Sequence, residues 1–175
     1  LFANLVSSGV PSSGNEISQE NGMSMKVYYA SRDGEEKSSW NRIEDDKTNW
    51  PIVQGNDALI AVIIKNTSNY ALENIALTIP AAAGLEILSG TEEASKGSKY
   101  DYRDLRDDRV HYYFGLKKGE TKEFTLLANA SYKGRYYQPA ISAEAMYDGN
   151  IKATKKGLWL DIVKTISTDS ANTGN

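Results

Sequence analysis

The sequence predicts an all-β chain folded as an antiparallel β-sandwich, and three observations carry that prediction. Apolar residues recur at every second position in several short segments, the period of a half-buried strand. Those segments are separated by clusters of Gly, Asn, Asp, Ser and Pro, which favour turns. No stretch has the roughly 3.6-residue apolar period of an amphipathic helix, although the polar stretch 31–51 leaves room for one short helix. About eight such strands bury their apolar faces most simply as two packed sheets.

Taken in order, residues 1–22 are rich in Ser, Gly and Asn, are broken at Gly9-Val10-Pro11, and read as an extended lead-in from a preceding domain. The sandwich is expected over 23–166. Met23, Met25, Val27 and Tyr29 alternate along a first strand. Residues 31–51 are polar and charged around Trp40 and Trp50 and read as a long loop closed by Pro51. Ala58 to Ile64 is a continuous, β-branched apolar run, the pattern of a strand buried on both faces. Leu72 to Ile79 follows as a strand stopped by Pro80, then Ala81 to Leu88 with a bend at Gly84, then a polar surface excursion over 89–101. Val110, Tyr112, Phe114 and Leu116 share one strand face, and Phe124, Leu126 and Ala128 share another after the Lys117–Glu120 turn; the pair reads as a hairpin. Gly134 to Tyr147 reads as one strand entering an Asp148-Gly149 turn. Ile151 to Ile166 returns with Leu158, Leu160 and Ile162 on one side of an interruption at Gly157. Residues 167–175 read as a disordered polar tail.

With 175 residues, 40% of them hydrophobic, the chain can bury a sizeable core. The net charge of −3 and the lack of a basic stripe speak against a nucleic-acid partner. No run approaches the ~18 apolar residues of a membrane span, so direct insertion in a membrane is not expected. There is no cysteine, which removes disulfides, thiolate metal sites and a cysteine nucleophile. The start, Leu1-Phe2-Ala3-Asn4, has neither an initiator methionine nor a charged signal region, and suggests a piece of a longer protein.

Each stretch that could carry chemistry has a plain structural reading beside it. Asp104, Asp107 and Asp108 fall within five residues, but Arg103, Arg106 and Arg109 are interleaved with them. A calcium loop needs uncompensated oxygens at set spacing, so a salt-bridged turn is the better reading, with ion pairs contributing roughly 0–1 kcal/mol each if exposed. Glu44-Asp45-Asp46 precedes Lys47 in a polar loop and reads as solvated. His111 is the one histidine, and nothing in the pattern builds a triad around it. Eleven tyrosines and three tryptophans could line a sugar platform. In adjacent pairs such as Tyr112-Tyr113 and Tyr136-Tyr137, however, strand geometry sends one ring to each face, so one of each pair is assigned to the core. Asn66-Thr67-Ser68 and Asn129-Ala130-Ser131 fit the glycosylation pattern only weakly. No metal site, cofactor or catalytic residue is expected. Met146-Tyr147 differs in kind: an apolar pair beside a turn, where at least one side chain must leave the core. The pattern leaves two readings open, hairpin-edge packing and a partner surface.

Several runs together resemble a known family. They are Tyr102-Arg103-Asp104-Leu105-Arg106-Asp107-Asp108-Arg109-Val110, Tyr113-Phe114, Gly119-Glu120, Gly134-Arg135-Tyr136-Tyr137-Gln138-Pro139-Ala140, and Glu144-Ala145-Met146-Tyr147-Asp148. Gly9-Val10-Pro11, Gln54-Gly55-Asn56 and Pro80 to Ile87 agree in order. With these runs the chain resembles, over most of residues 5–163, the C-terminal macroglobulin-like domain of bacterial alpha-2-macroglobulins. The resemblance implies an immunoglobulin-like β-sandwich within a large periplasmic or envelope-associated protease trap, with target proteases met by the whole molecule. It implies packing on the thioester domain of the same parent chain, with Met146 and Tyr147 as the pair that covers the thioester and keeps water off it. A stand-alone β-sandwich adhesin or carbohydrate-binding module is the competing expectation.

Overall fold

Fourteen strands arranged in three sheets account for the regular structure of the computed structural model, which describes residues 14, 16–32, 39–43, 48–89 and 98–164. The Gly9–Pro11 break, the Glu44–Lys47 stretch and the tail lie outside the described residues. The first sheet has the order β1 (Gln19–Asn21), β13 (Asp148–Lys155), β12 (Ile141–Ala145), β6 (Leu72–Pro80), β9 (Arg109–Leu116), β8 (Tyr102–Leu105). The second runs β3 (Asn41–Ile43), β2 (Met23–Arg32), β5 (Asp57–Asn66), β10 (Thr121–Ala130), β7 (Leu85–Ile87). The all-β sandwich that the alternation predicts is what forms, and no helix occurs among the described residues.

The core follows from register. Phe124, Leu126 and Ala128 on β10 stand opposite Val62, Ile60 and Ala58 on β5, which in turn face Val27, Tyr29 and Ser31 on β2. Because side chains alternate with period two, one parity of each ladder enters the sandwich. In the facing sheet, Ile75, Leu77 and Ile79 pair with Phe114, Tyr112 and Val110. Phe124 stacks between the sheets, with ring centroids 4.8 Å from Tyr112 and 4.4 Å from Phe114.

Several boundaries differ from the sequence reading. Val110–Leu116 and Thr121–Ala130 do not form a hairpin: β9 belongs to the first sheet and β10 to the second. Each strand has one strongly apolar face, and a corner that crosses the sandwich lets those faces bury each other. Gly119 (φ 73°) and the Glu120 N–H donating to the Lys117 carbonyl at 3.0 Å shape that corner. The segment 58–64 is buried on both faces only at its middle: Ala61 is buried on the second face, but Leu59 and Ile63 beside it are only part-buried, so β5 keeps one deep face.

A third sheet, β11 (Gly134–Gln138), β14 (Leu158–Val163) and β4 (Asn49–Val53), has no counterpart in the expected pair of sheets. It takes the end of the supposed 31–51 loop, where Trp50 and Ile52 are fully buried, and pairs it in parallel with β14. Pro51 is tolerated because β4 is an edge strand with only β14 beside it. The single strand expected over 134–147 is two: β11 lies in the third sheet and β12 in the first, separated at Pro139, which has no N–H for a ladder. Likewise β13 and β14 lie in different sheets on either side of Gly157. A Cβ at Gly157 would come within 2.2 Å of the Gln138 carbonyl oxygen and 2.6 Å of Tyr137 Oη, so only glycine fits this crossing. Of the tyrosine pairs, Tyr112 is core and Tyr113 is not, as expected; Tyr136 and Tyr137 are both part-buried, and of the two it is Tyr136 that packs against the core.

Gln19–Asn21, within the lead-in of the sequence reading, forms β1 against β13. Nearby, the Lys156 N–H donates to Ser18 Oγ at 3.1 Å and the Tyr137 hydroxyl donates to Glu16 Oε2. Burial pushes the Tyr137 hydroxyl up, and the Glu16 contact adds to it, to about 12. Burial also raises the Glu16 carboxyl, but the Tyr137 hydroxyl and nearby backbone N–H groups outweigh it and leave the group below its ordinary value. A depressed carboxyl contributes stability above its unfolded pKa and loses it as pH falls through the folded one. A raised tyrosine contributes below about pH 10 and loses it as pH rises towards the folded value. The clasp should therefore hold over the neutral range and open at both extremes. Amide protection of 19–21, corrected for intrinsic exchange, should fall in both limbs, and Tyr137→Phe should abolish the alkaline one. An alkaline limb unchanged by Tyr137→Phe would assign the loss to another group.

Candidate functional site

The two residues singled out by the sequence, Met146 and Tyr147, form the loop between β12 and β13, with Ala145 opposite Asp148. The turn therefore falls on Met146-Tyr147 and not on Asp148-Gly149, which begin β13. Both side chains leave the core: Met146 is 54% and Tyr147 85% exposed. Along β12, Ile141, Ala143 and Ala145 point inward, and the turn breaks that parity before Tyr147 could continue it.

This tip is held on two sides. The Met146 N–H donates to the Asn74 carbonyl at 3.0 Å. Asn74 has φ 54° and sits where the β6–β9 register shifts between Leu72 and Ile75. Asparagine is among the few L-residues that take this left-handed conformation readily, and the bulge bends β6 beside the tip. On the other side, Asp148 Oδ1 accepts the Asn150 N–H at 3.0 Å, and Asn21 Nδ2 donates to the Asn150 carbonyl at 2.8 Å.

Beside Tyr147 lies a shallow groove of about 150 Å³, bordered by Tyr70, Leu72, Glu73, Asp148 and Ile151. Tyr70 is 55% exposed and is placed by Asn66, a buried residue at the end of β5. Asn66 Nδ2 donates to the carbonyls of Tyr70 (2.7 Å), Leu116 (3.2 Å) and Lys117 (3.2 Å). Its Oδ1 accepts from the Ser68 N–H and hydroxyl at 2.8 and 2.7 Å. Sequence reasoning missed Tyr70, Asn74 and Asn66 as parts of one surface. It took Asn66 only as a weak glycosylation acceptor, a role its buried, engaged amide cannot fill in the folded chain.

The other candidates are not drawn together. The charged run becomes the β8–β9 hairpin, closed by the Arg106 N–H donating to the Arg109 carbonyl at 2.9 Å. Arg106 pairs with Asp104 at 2.8 Å and Arg109 with Asp108 at 2.6 Å. The Arg109 hydrogen bond holds the Asp108 carboxyl below its ordinary value, the behaviour of a salt-bridged turn. His111 Nδ1 lies 3.0 Å from Thr78 Oγ1, its cross-strand partner. Among the described residues no three His, Asp or Glu side chains converge as metal ligands would. Asn129 Nδ2 donates to the Gly55 carbonyl at 2.9 Å.

Comparison with known proteins adds a family. The family model described as "Bacterial Alpha-2-macroglobulin MG10 domain" matches residues 22–150. An alpha-2-macroglobulin homologue of Yersinia pestis is 40% identical over 57 residues, 33% of this chain and 3% of that protein. A crystal structure of native alpha-2-macroglobulin from Escherichia coli, spanning domain MG7 to the C-terminus, superposes with a TM-score of 0.66 at 18% identity, covering 87% of this chain and 25% of that one. A Salmonella alpha-2-macroglobulin mutant gives 0.65 at 19% identity, covering 87% and 10%. At these identities the structures show the shared fold. The chain thus spans only a small part of each of these relatives.

Proposed function

Because the chain belongs to the bacterial alpha-2-macroglobulin MG10 domain family, we propose that it is a non-catalytic, C-terminal docking domain of a larger protease trap in the bacterial periplasm or envelope. In this reading it packs on the thioester domain of the same parent chain and shields the thioester from water, while proteases meet the trap as a whole. The observation that carries it is the tip: an exposed Met146-Tyr147 pair at a hairpin end, tied to β6 by a backbone hydrogen bond. Apolar side chains presented this way are favourable to bury and cost little further ordering.

The magnitude suits a releasable cover. Burying a Met and a Tyr contributes at most about 3–6 kcal/mol by area. That is enough to hold a neighbouring domain within one molecule, yet small enough to yield when cleavage elsewhere shifts the equilibrium. The absence of cysteine from the chain puts any thioester on another domain, as the reading requires.

The test is the double substitution Met146→Ala with Tyr147→Ala in the full parent chain, followed by the rate of inactivation by methylamine. Each 1.4 kcal/mol of docking energy lost multiplies the open population about tenfold, so inactivation should quicken by at least about that factor. Tyr102→Ala, at an exposed site on β8, should leave the rate unchanged. A double variant inactivated at the unsubstituted rate would sink the shielding role.

A further inference from the structure

The groove beside the tip has a chemistry that shielding alone does not use. Glu73 and Asp148 are the charged residues that border it, and both are carboxylates. Tyr70 and Tyr147 supply exposed aromatic walls, and Leu72, Ala145 and Ile151 an apolar base. A larger groove next to it, about 450 Å³, shares Glu73 but also has Lys117 and Lys122 among its charged residues, beside Asp101 and Glu120. The lining of the larger groove thus mixes both signs, whereas the charged lining of the smaller groove is carboxylates alone, Glu73 being shared by the two.

We propose that the smaller groove seats a lysine or arginine side chain from the domain on which the tip docks. The inference rests on the docking reading above and adds a second, polar anchor to it. Three features of the groove fit such a side chain. The apolar base suits a methylene stem, which long cationic residues bury while their head stays polar. The tyrosine faces attract a cation through the ring quadrupole, and the carboxylates pair with it. At about 150 Å³, a third of its neighbour's volume, the groove suits one extended side chain better than a peptide strand. The backbone on both sides of the groove is also set in advance: Asn66 holds the Tyr70 carbonyl at 2.7 Å and the Asn74 carbonyl holds the Met146 N–H at 3.0 Å, so little backbone ordering is left for the moment of contact.

Hydroxyl-radical footprinting of the full parent chain tests this, because it reads the solvent exposure of Met146 and Tyr147 side chains directly. Glu73→Gln with Asp148→Asn removes both charges and keeps their shape, including an acceptor for the Asn150 N–H. Expected are low labelling of Met146 and Tyr147 in the unsubstituted parent and a several-fold rise in the double variant. Glu144→Gln, a carboxylate on β12 outside the groove, should cause no rise. Low labelling that persists in the double variant overturns the cation seat and leaves docking standing. Labelling of both residues in the unsubstituted parent at the rates of the free amino acids overturns the docking reading and this inference with it.

Discussion

Phe124→Ala is expected to cost the domain about 3–5 kcal/mol, the range for emptying a fully buried aromatic site. Phe124 is fully buried at the middle of β10 and is the ring against which both Tyr112 and Phe114 of the opposite sheet pack, at 4.8 and 4.4 Å. Removing it opens a cavity between the sheets and deletes two aromatic contacts, each adding about 0.5–1.5 kcal/mol beyond area burial. Little can collapse into the gap. Tyr112 is anchored by its hydroxyl, which donates to the Thr125 carbonyl at 2.9 Å, and Val62 beside Phe124 is held in the β5–β10 ladder. For a domain of this size each kcal/mol shifts Tm by about 2–4 °C, so a fall of about 10 °C is the expected scale. Urea titration of the 175-residue chain provides the measurement, with Phe124→Leu losing clearly less because it refills most of the site. A loss below about 1 kcal/mol, the size of an ordinary surface change, would mean the two sheets do not close on Phe124.

That prediction concerns a contact the sequence could not supply. The alternation at Val110, Tyr112, Phe114 and Leu116 and at Phe124, Leu126 and Ala128 fixed which residues of each strand are inward, and every one is buried. Whether two such strands pair edge to edge or face each other across a sandwich is not a local property, and a tight turn between them serves both. The parallel pairing of β4 with β14 was hidden for the same reason: its partners, such as Trp50 and Leu160, are remote in sequence. Other features were written in the chain but not read. Inward parity along Ala58, Ile60, Val62 and Ile64 continues to Asn66, marking it as buried before any hydrogen bond is seen. Leu72 and Ile75 are three apart where Ile75, Leu77 and Ile79 are two apart, and that slip is the bulge carrying Asn74. At the tip, Asp148-Gly149 imitates the usual hairpin loop. The apolar excess of Met146 and Tyr147 was legible, but the register that makes them the loop was not.

Asn66→Ala is expected to cost about 2–4 kcal/mol, since it leaves buried polar groups without partners at about 1–3 kcal/mol each. The side chain is 1% exposed and serves three carbonyls with its amide and Ser68 with its oxygen. The hydrogen bond to the Leu116 carbonyl is buried and that carbonyl loses most; those of Tyr70 and Lys117 are only part-buried. Asn66→Asp separates the two halves of the role. It keeps the acceptor for Ser68 but turns an oxygen towards the carbonyls, so it should be at least as destabilised as alanine at neutral pH and partly recover on acidification, when a protonated carboxyl can donate again. Urea titration at pH 7 and at pH 4 would show this, and an aspartate variant as stable as the unsubstituted domain would refute it. The consequence reaches beyond stability because of where Asn66 sits. Its amide joins the 66–70 turn, which carries Tyr70, to the Leu116–Lys117 corner, where the chain crosses from one sheet to the other. Loss of Asn66 should therefore free the Tyr70 wall of the groove while Met146, held by Asn74 on β6, keeps its place. In the parent chain this predicts weaker seating of a cationic side chain in an otherwise folded domain, a separation of polar anchor from apolar tip that no core substitution would produce.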